Sequence, residues 1–167
     1  MSRNPSEAIQ ILGQILSNSG STKVVVGRLF RDIEIELDRF FEKSDFPTFS
    51  SIRNGSSKAH QVSEADVGIS SVEFAIASTG TVVEVTTDDS DRLISSLPEV
   101  HIAFLRASQI VNTLEEAAVR LRALYQQYES NCNITFISGP SRTADIEMKL
   151  FLGVHGPQKS NVIVCDW

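Results

Sequence analysis

Apolar side chains in the first forty residues recur at three- and four-residue spacing, which predicts two amphipathic helices. In the first helix, which follows Pro5 and ends near Gly20, the apolar positions are Ile9, Leu12, Ile15 and Leu16. In the second helix they are Ile33, Leu37, Phe40 and Phe41. The β-branched run Lys23–Gly27 lies between the two helices and predicts a buried strand.

The middle of the chain contains a weakly patterned segment followed by a dense series of short elements. Residues 44–63 are rich in Ser, Asp, Asn, Pro and Gly, and they predict a loop around a possible short strand at Thr48–Ile52. A mobile flap and a solvated connection both fit this composition. The pattern then predicts a strand at Asp66–Ser70, a short helix-like segment at Ser71–Ala77 and a strand at Val82–Thr86.

The second half of the chain continues to alternate helices with strands. An acidic helix start at Asp88–Asp91 precedes a predicted strand at Val100–Leu105. Thr113, with Glu116 three positions later, forms a capping box that opens a helix extending to about Tyr128. The remaining predicted elements are the strand Asn133–Ile137, the short helix Thr143–Phe151 and the strand Asn161–Cys165.

This alternation predicts an α/β fold with an open, mainly parallel, doubly wound sheet and helices on both faces. Ligands in such folds bind beyond the carboxyl ends of the strands. We expect residues 1–167 to form one domain, because 167 residues with 41% hydrophobic side chains can bury a sufficient core.

Composition and charge exclude several classes of function. The net charge is −6 and the basic residues are scattered, so the chain lacks the concentrated basic surface that nucleic-acid binding needs. The two cysteines, Cys132 and Cys165, do not have metal-ligand spacing, and with three histidines they cannot assemble an iron–sulfur or zinc centre. We therefore expect no metal and no cofactor. With neither a signal-peptide pattern nor a membrane-length apolar run, we expect a cytoplasmic protein.

Two segments contain residue types suited to binding an anion. The segment Ile76–Thr81 contains three hydroxyls and Gly80. These groups could bind an anion through side-chain and backbone hydrogen bonds, or the segment could be a tight turn that packs a helix on a strand. In Ser138–His155, a Gly-Pro turn leads into a predicted helix start with hydroxyls and an arginine. This start either binds phosphate or carboxylate or is only capped by its own hydroxyls.

Several motifs together resemble the LUD domain family, in particular its lactate utilisation protein C members. The resemblance runs from about Glu64 to the C-terminus, while residues 1–63 form a shorter N-terminal part without a matching motif. The motifs are Ala65-Asp-Val-Gly-Ile-Ser70, Ala75-Ile-Ala-Ser-Thr-Gly-Thr-Val-Val83, Leu97-Pro-Glu-Val-His-Ile-Ala103, Gly139-Pro-Ser-Arg-Thr-Ala-Asp-Ile-Glu147 and Gly153-Val-His-Gly-Pro157.

The resemblance implies a fold, a cellular role and partners. It implies the open Rossmann-like sheet shared with sugar-phosphate isomerases, CoA transferases and formyltetrahydrofolate cyclo-ligases. It also implies a role in oxidising L-lactate to pyruvate alongside iron–sulfur proteins. Ser78 stands where such proteins usually have glutamate, so the carboxylate that could act as base or nucleophile is missing at that position.

The leading hypothesis is a non-redox accessory component of an L-lactate oxidation system that binds a small carboxylate or phosphorylated ligand. The predicted ligand-binding residues are Thr79, Gly80, Thr81, Gly139, Ser141, Arg142, Thr143 and His155. The alternative is a stand-alone transferase or cyclo-ligase-like enzyme acting on CoA, folate or sugar-phosphate substrates. Its candidate acids and bases are Glu73, Asp145, Glu147 and His155. A regulatory or scaffolding domain without a ligand is a third hypothesis.

Overall fold

The computed structural model describes residues 1–43, 48–51, 58–128, 131–140, 142–143, 151–152 and 156–167. The helices of these residues are α1 (Pro5–Ser19), α2 (Arg31–Lys43), α3 (Lys58–Ser63), α4 (Asp89–Ile94) and α5 (Leu114–Gln127). The strands are β1 (Lys23–Val26), β2 (Thr48–Ser51), β3 (Val67–Ser71), β4 (Phe74–Ile76), β5 (Thr81–Thr86), β6 (Val100–Arg106), β7 (Ile110–Val111), β8 (Asn133–Ile137), β9 (Arg142–Thr143), β10 (Phe151–Leu152) and β11 (Lys159–Cys165).

The main sheet has five parallel strands in the order β2-β1-β3-β6-β11. This confirms the predicted mainly parallel, doubly wound sheet. The order of the strands reverses between β1 and β3, because the chain moves to β2 on one side and to β3 on the other. Such a reversal is a topological switch point, and it opens a crevice at the carboxyl ends of the two strands.

Helices cover both faces of the main sheet, as predicted. On one face, the side chains of Val24 and Val26 pack with those of Ile69, Leu12 and Ile33, so that α1 and α2 lie over β1 and β3. On the other face, α3 and α4 cover β1: Val25 packs with Val62 and Ile94. Residues Val24–Val26 of β1 and all five residues of β3 are buried, as expected for central strands of a parallel sheet that is covered on both faces.

A second sheet, in the order β7-β4-β5-β8, was not predicted from the sequence. Its strand β5 pairs antiparallel with both β4 and β8. Alternate residues of β5 face opposite sides: Val82 packs with Ala103 and Leu105 of the main sheet. Val83 and Val85 pack beneath α5 instead. The even-numbered positions of β5, including Glu84, therefore face the space between the two sheets.

The prediction of a short helix-like segment at Ser71–Ala77 is wrong, because residues 74–76 form the strand β4. Phe74 and Ile76 point toward α5, whereas Ala75 points toward the main sheet. This two-residue alternation is the period of a strand. Seven residues are too few to separate it from a helical period when the pairing strand lies elsewhere in the chain.

The prediction of a short helix at Thr143–Phe151 is also wrong for its first and last residues, which lie in strands. Thr143 of β9 and Phe151 of β10 are paired residues of an antiparallel ladder. Eight residues of helix would separate their Cα atoms by about 12 Å, more than twice the spacing of a ladder pair. The residues between them, 144–150, lie outside the described part of the chain.

The sequence predicted several boundaries correctly. Gly20 caps α1 in the left-handed conformation, and the hydroxyl of Thr113 accepts a hydrogen bond from the Glu116 amide at the start of α5. The strand β2 lies where a possible strand was predicted, but the loop predicted around it contains the helix α3. None of the helices in the described residues is long and apolar enough to cross a membrane.

Candidate functional site

The two segments predicted to bind an anion meet at one end of the second sheet. The hydroxyl oxygens of Thr79 and Thr81 lie 2.7 Å apart, and those of Thr81 and Ser138 lie 2.8 Å apart. We call these three residues the hydroxyl edge. They meet because β5 and β8 are antiparallel, with Val82 opposite Ile137 and Thr81 one position further along.

A tight turn positions the exposed end of the hydroxyl edge. Residues Ala77–Thr79 form a single 3-10 turn, which Gly80 ends with a φ of 62°. Gly139 has a φ of 107°, directly after Ser138. Both values lie in the region that glycine adopts more readily than other residues, so both glycines have a conformational role. Thr81 is buried, whereas Thr79, Gly80, Ser138 and Gly139 are exposed.

The structure describes the other predicted site residues only in part. The side chain of Arg142 is exposed, and its backbone begins β9 together with Thr143. The predicted helix start at these two positions is therefore a strand. Ser141 and His155 lie outside the described residues, so their part in the site stays a prediction.

A second polar site, which was not predicted from the sequence, lies at the switch point between β1 and β3. We call it the switch-point cleft. It has a volume of about 40 Å³ and is lined by Gly27, Arg28, Ser70, Ser71, Glu84, Val85, Thr86, Thr87 and Asp91. Gly27 and Arg28 follow β1, and the two serines end β3. The cleft is therefore at the carboxyl ends of the strands, where ligands bind in this class of fold.

Glu84 is the buried acid of the switch-point cleft, with 3% of its surface exposed. Its carboxylate accepts a hydrogen bond of 2.6 Å from the hydroxyl of Ser95. Burial raises the pKa of Glu84 above its usual range, although hydrogen bonds from Ser95 and Ser70 and the charge of Arg28 act to lower it. A carboxyl group with a raised pKa in a cleft can donate as well as accept a proton.

His101 extends this polar network into the core between the sheets. Its Nε2 atom lies 3.0 Å from the hydroxyl oxygen of Ser70, and the histidine is fully buried. Burial lowers the pKa of His101 to about 4, so its imidazole is neutral at pH 7. Either the ring nitrogen or the hydroxyl can be the donor of this hydrogen bond, depending on the tautomer of His101. His101 is thus linked to Ser70, which lines the switch-point cleft together with Glu84.

Arg28 supplies a positive charge to the switch-point cleft. Its guanidinium donates to the carboxylate of Glu73 at 2.8 Å and to the hydroxyl of Tyr128 at 3.1 Å. These contacts join the end of β1, the segment before β4 and the end of α5. A guanidinium has five N–H donors, so the two contacts do not exhaust it.

Sequence signals for this cleft were present only in part. Glu84 is the one charged residue in the apolar run 82–85, and a charge within a buried strand is a signal for a partnered or functional side chain. Glu73 was predicted as a candidate acid, and the structure pairs it with Arg28. Asp145 and Glu147 lie outside the described residues. Within the described ranges, no group of three or more His, Cys, Asp or Glu side chains could hold a metal ion.

The parallel sheet with helices on both faces and a switch point between β1 and β3 defines an open, doubly wound α/β fold. The sequence profile of the LUD domain matches residues 4–165, and the chain belongs to the LUD domain family. The resemblance noted in the sequence is thus confirmed. The match also includes most of the segment before Glu64, where the sequence offered no recognisable motif.

The chain is similar to several named members of the family. A protein of Anoxybacillus flavithermus named Lactate utilization protein C is 34% identical over 161 residues, covering 96% of this chain and 71% of the relative. A protein of the same name from Macrococcus caseolyticus is 34% identical, covering 94% of this chain and 67% of the relative. The crystal structure of a DUF162 family protein from Deinococcus radiodurans has the same fold, with a TM-score of 0.60 at 22% identity. That similarity covers 97% of this chain and 84% of the other.

Proposed function

We propose that this chain acts in lactate utilisation as a non-redox component that binds a small anionic ligand at the hydroxyl edge. Family membership supports the role, because relatives that cover most of the chain are named Lactate utilization protein C. The whole sequence contains two cysteines, too few for the four thiolates of a common iron–sulfur cluster. Electron transfer from lactate would then be the task of iron–sulfur partner proteins.

The contact between Thr81 and Ser138 is the observation that carries the binding part of the proposal. It brings together the two segments that were selected from the sequence for anion chemistry. Hydroxyl groups can rotate to donate hydrogen bonds to carboxylate or phosphate oxygens. The exposed Arg142 follows Ser138 by four positions and supplies a guanidinium suited to the same oxygens.

Growth on L-lactate as sole carbon source tests this role. Deletion of the gene should abolish or slow growth on L-lactate but not on glucose, and the wild-type gene should restore it. A double variant, Thr81→Val with Ser138→Ala, should restore growth poorly because it removes two hydroxyls of the hydroxyl edge. Ser17→Ala is the matched control, since Ser17 is an exposed hydroxyl residue on α1.

Purification of the tagged chain from cells grown on lactate tests the proposed partners. Iron–sulfur proteins should be recovered with it, and their absorbance should identify the clusters. Normal growth of the deletion strain on L-lactate, with unrelated proteins recovered in the purification, would contradict the proposed role.

A stand-alone transferase or cyclo-ligase-like enzyme is the second candidate function, and Glu84 is the observation that favours it. Such an enzyme needs a positioned acid or base, and Glu84 has a pKa raised by burial in a cleft. A thermal-shift screen with a CoA ester, a folate and a sugar phosphate separates the two functions. A rise of several degrees with one of these compounds supports the enzyme. Stabilisation by short carboxylates alone supports the first proposal.

A further inference from the structure

The switch-point cleft contains a buried hydroxyl group to which none of the described residues is hydrogen-bonded. Thr86 lines the cleft and is 8% exposed, and among the described residues its Oγ1 atom has no hydrogen-bond partner. Buried polar groups in folded proteins nearly always have a partner, and a buried hydroxyl that lines a cleft can find one in a water molecule or a ligand there. The hydroxyl of Thr86 is therefore available to a group that enters the cleft.

Thr86 and Glu84 lie two positions apart on β5, so their side chains point to the same side of the second sheet. Their polar groups form one wall of the cleft. Arg28 lines the same cleft, and its charge acts on the carboxyl group of Glu84. A cation, a carboxyl group and a hydroxyl thus surround one small space.

We propose that the switch-point cleft binds a short 2-hydroxy- or 2-oxo-monocarboxylic acid, with Arg28 holding its carboxylate and with Glu84 and Thr86 holding the oxygen at C2. The identity of the acid rests on the proposed role in lactate utilisation. The site itself is new and separate from the hydroxyl edge. It adds a specific small-molecule site to a chain for which only a general anion site was expected.

The size of the cleft selects a small ligand. The enclosed space of about 40 Å³ has room for a few water molecules or for the polar end of a short acid. The bulk of a nucleotide or a CoA ester would extend beyond this space. A short acid can therefore use the polar groups of the cleft without contacts elsewhere.

The polar groups of the cleft select the chemistry of the ligand. Glu84 and Asp91 carry carboxyl groups that disfavour a doubly charged phosphate, whereas the single carboxylate of a short acid can pair with Arg28. An ionised carboxyl accepts a hydrogen bond from a hydroxyl, and a protonated one donates to a carbonyl. Glu84 can thus bind either a 2-hydroxyl or a 2-oxo group. An acid that lacks oxygen at C2 leaves both Glu84 and Thr86 without a ligand partner.

Titration calorimetry on the purified full chain tests the site with L-lactate, pyruvate, propionate and inorganic phosphate. Propionate has the carbon skeleton of lactate without the 2-hydroxyl. L-lactate or pyruvate should bind at least tenfold more tightly than propionate and phosphate. Equal binding of propionate and L-lactate, or tighter binding of phosphate, would overturn the proposal.

Thr86→Val is the decisive variant, because valine has the shape of threonine and removes only the hydroxyl. We expect it to lose most of the preference for L-lactate over propionate while its melting temperature stays equal or rises, since a buried unpartnered hydroxyl is gone. Glu84→Gln should reduce the same preference. Ser17→Ala should leave it unchanged. An unaltered preference in Thr86→Val would refute the assignment of this cleft.

The two proposals can fail separately. If the deletion strain grows normally on L-lactate but the purified chain binds the acid with the expected preference, the cellular role is wrong and the site is right. If the deletion strain loses growth but the chain binds none of the acids, the role stands and the site is wrong.

Discussion

The hydroxyl of Thr81 lies 2.8 Å from the hydroxyl of Ser138, and this contact joins segments that are 57 positions apart in the chain. Thr81 also contacts Thr79, so one buried hydroxyl connects two exposed ones. The arrangement places the turn before β5 next to the turn after β8. Any ligand that binds at this end of the second sheet meets both turns at once.

A double-mutant cycle measures the strength of this contact. Thr81→Val should lower the free energy of unfolding by about 1 kcal/mol, because a buried hydroxyl loses its hydrogen bonds. Ser138→Ala should cost less, since Ser138 is exposed to water. The free energy of unfolding lost in the double variant should be smaller than the sum of the two single losses by roughly 0.5 kcal/mol or more, because substitutions of residues in contact are not additive. Urea unfolding provides the measurement, and Ser17→Ala combined with Thr81→Val should be additive.

Local signals in the sequence predicted the ends of elements. The Thr113 cap and the Gly20 cap depend on residues within a few positions of each other, and both are in the structure. The strand β4 depends on its pairing with β5 and on the cover that α5 provides, so the seven residues Ser71–Ala77 did not by themselves distinguish it from a helix. Tertiary contacts decide such short elements.

The candidate sites were predictable to different degrees for the same reason. The hydroxyl edge was expected because its hydroxyls and glycines are concentrated in two short segments. The switch-point cleft combines residues from the loop after β1 with residues from β3, β5 and α4, which the fold alone brings together. Arg28 and His101 are single residues with distant partners, Glu73 and Ser70, so the sequence near them showed no sign of a site.

Gly68 allows α4 to lie directly on β3, and its substitution tests how the cleft is assembled. A Cβ atom at Gly68 would lie 1.9 Å from the backbone oxygen of Ile94. Because a backbone atom cannot move aside cheaply, Gly68→Ala should cost about 3 kcal/mol or more. The displaced α4 would also move Ser95 away from Glu84. Chemical denaturation measures the loss.

Gly13→Ala is the matched control for that substitution. A Cβ atom at Gly13 would meet only the ring edge of Phe40, at 3.2 Å. Alanine also favours a helix interior over glycine by roughly 0.5–1 kcal/mol, so the stability should change little. Equal effects of the two substitutions would show that the close approach of α4 is not the cause.

His101 should make the stability depend on pH in the acid range. Its pKa in the folded chain is lowered by burial to about 4, below the usual 6.5, so the unfolded chain binds a proton that the folded chain does not. The contribution of His101 to the free energy of unfolding is complete above about pH 6.5. As the pH falls toward about 4, this free energy decreases by roughly 3 kcal/mol in total. His101→Gln keeps a donor toward Ser70 and removes this titration.

Urea unfolding at several pH values from about 7 to 5 measures this effect. The wild type should lose stability as the pH falls, and His101→Gln should show a flatter profile. His60→Gln, which removes an exposed histidine, controls for the loss of an imidazole. A profile of His101→Gln that parallels the wild type would contradict a buried neutral histidine at this position.

Trp167 is hydrogen-bonded to Asp32 of α2, and this contact connects the segment after β11 with that helix. Its ring nitrogen donates to Asp32 at 2.7 Å, and Arg106 donates to the same carboxylate at 2.6 Å. The guanidinium of Arg106 lies over the rings of Phe30 and Trp167, 4.7 and 5.0 Å from their centres. Trp167 is the single tryptophan of the sequence, so its fluorescence reads this cluster directly.

Asp32→Asn should loosen the cluster and expose Trp167 to acrylamide quenching. Although burial acts to raise it, hydrogen bonds from Arg106 and Trp167 lower the pKa of Asp32 below its usual value. The ionised carboxylate of Asp32 therefore stabilises the folded chain fully above about pH 3.9. This stabilisation is lost as the pH falls through the lower pKa that Asp32 has in the folded chain. The wild type should show an acid change in Trp167 fluorescence that Asp32→Asn lacks, at pH values where circular dichroism still reports folded chain. Glu42→Gln, at an exposed acid on the same helix, should behave as the wild type. A retained acid change in Asp32→Asn would assign the titration to another group, because the amide that replaces the carboxylate has no charge to lose.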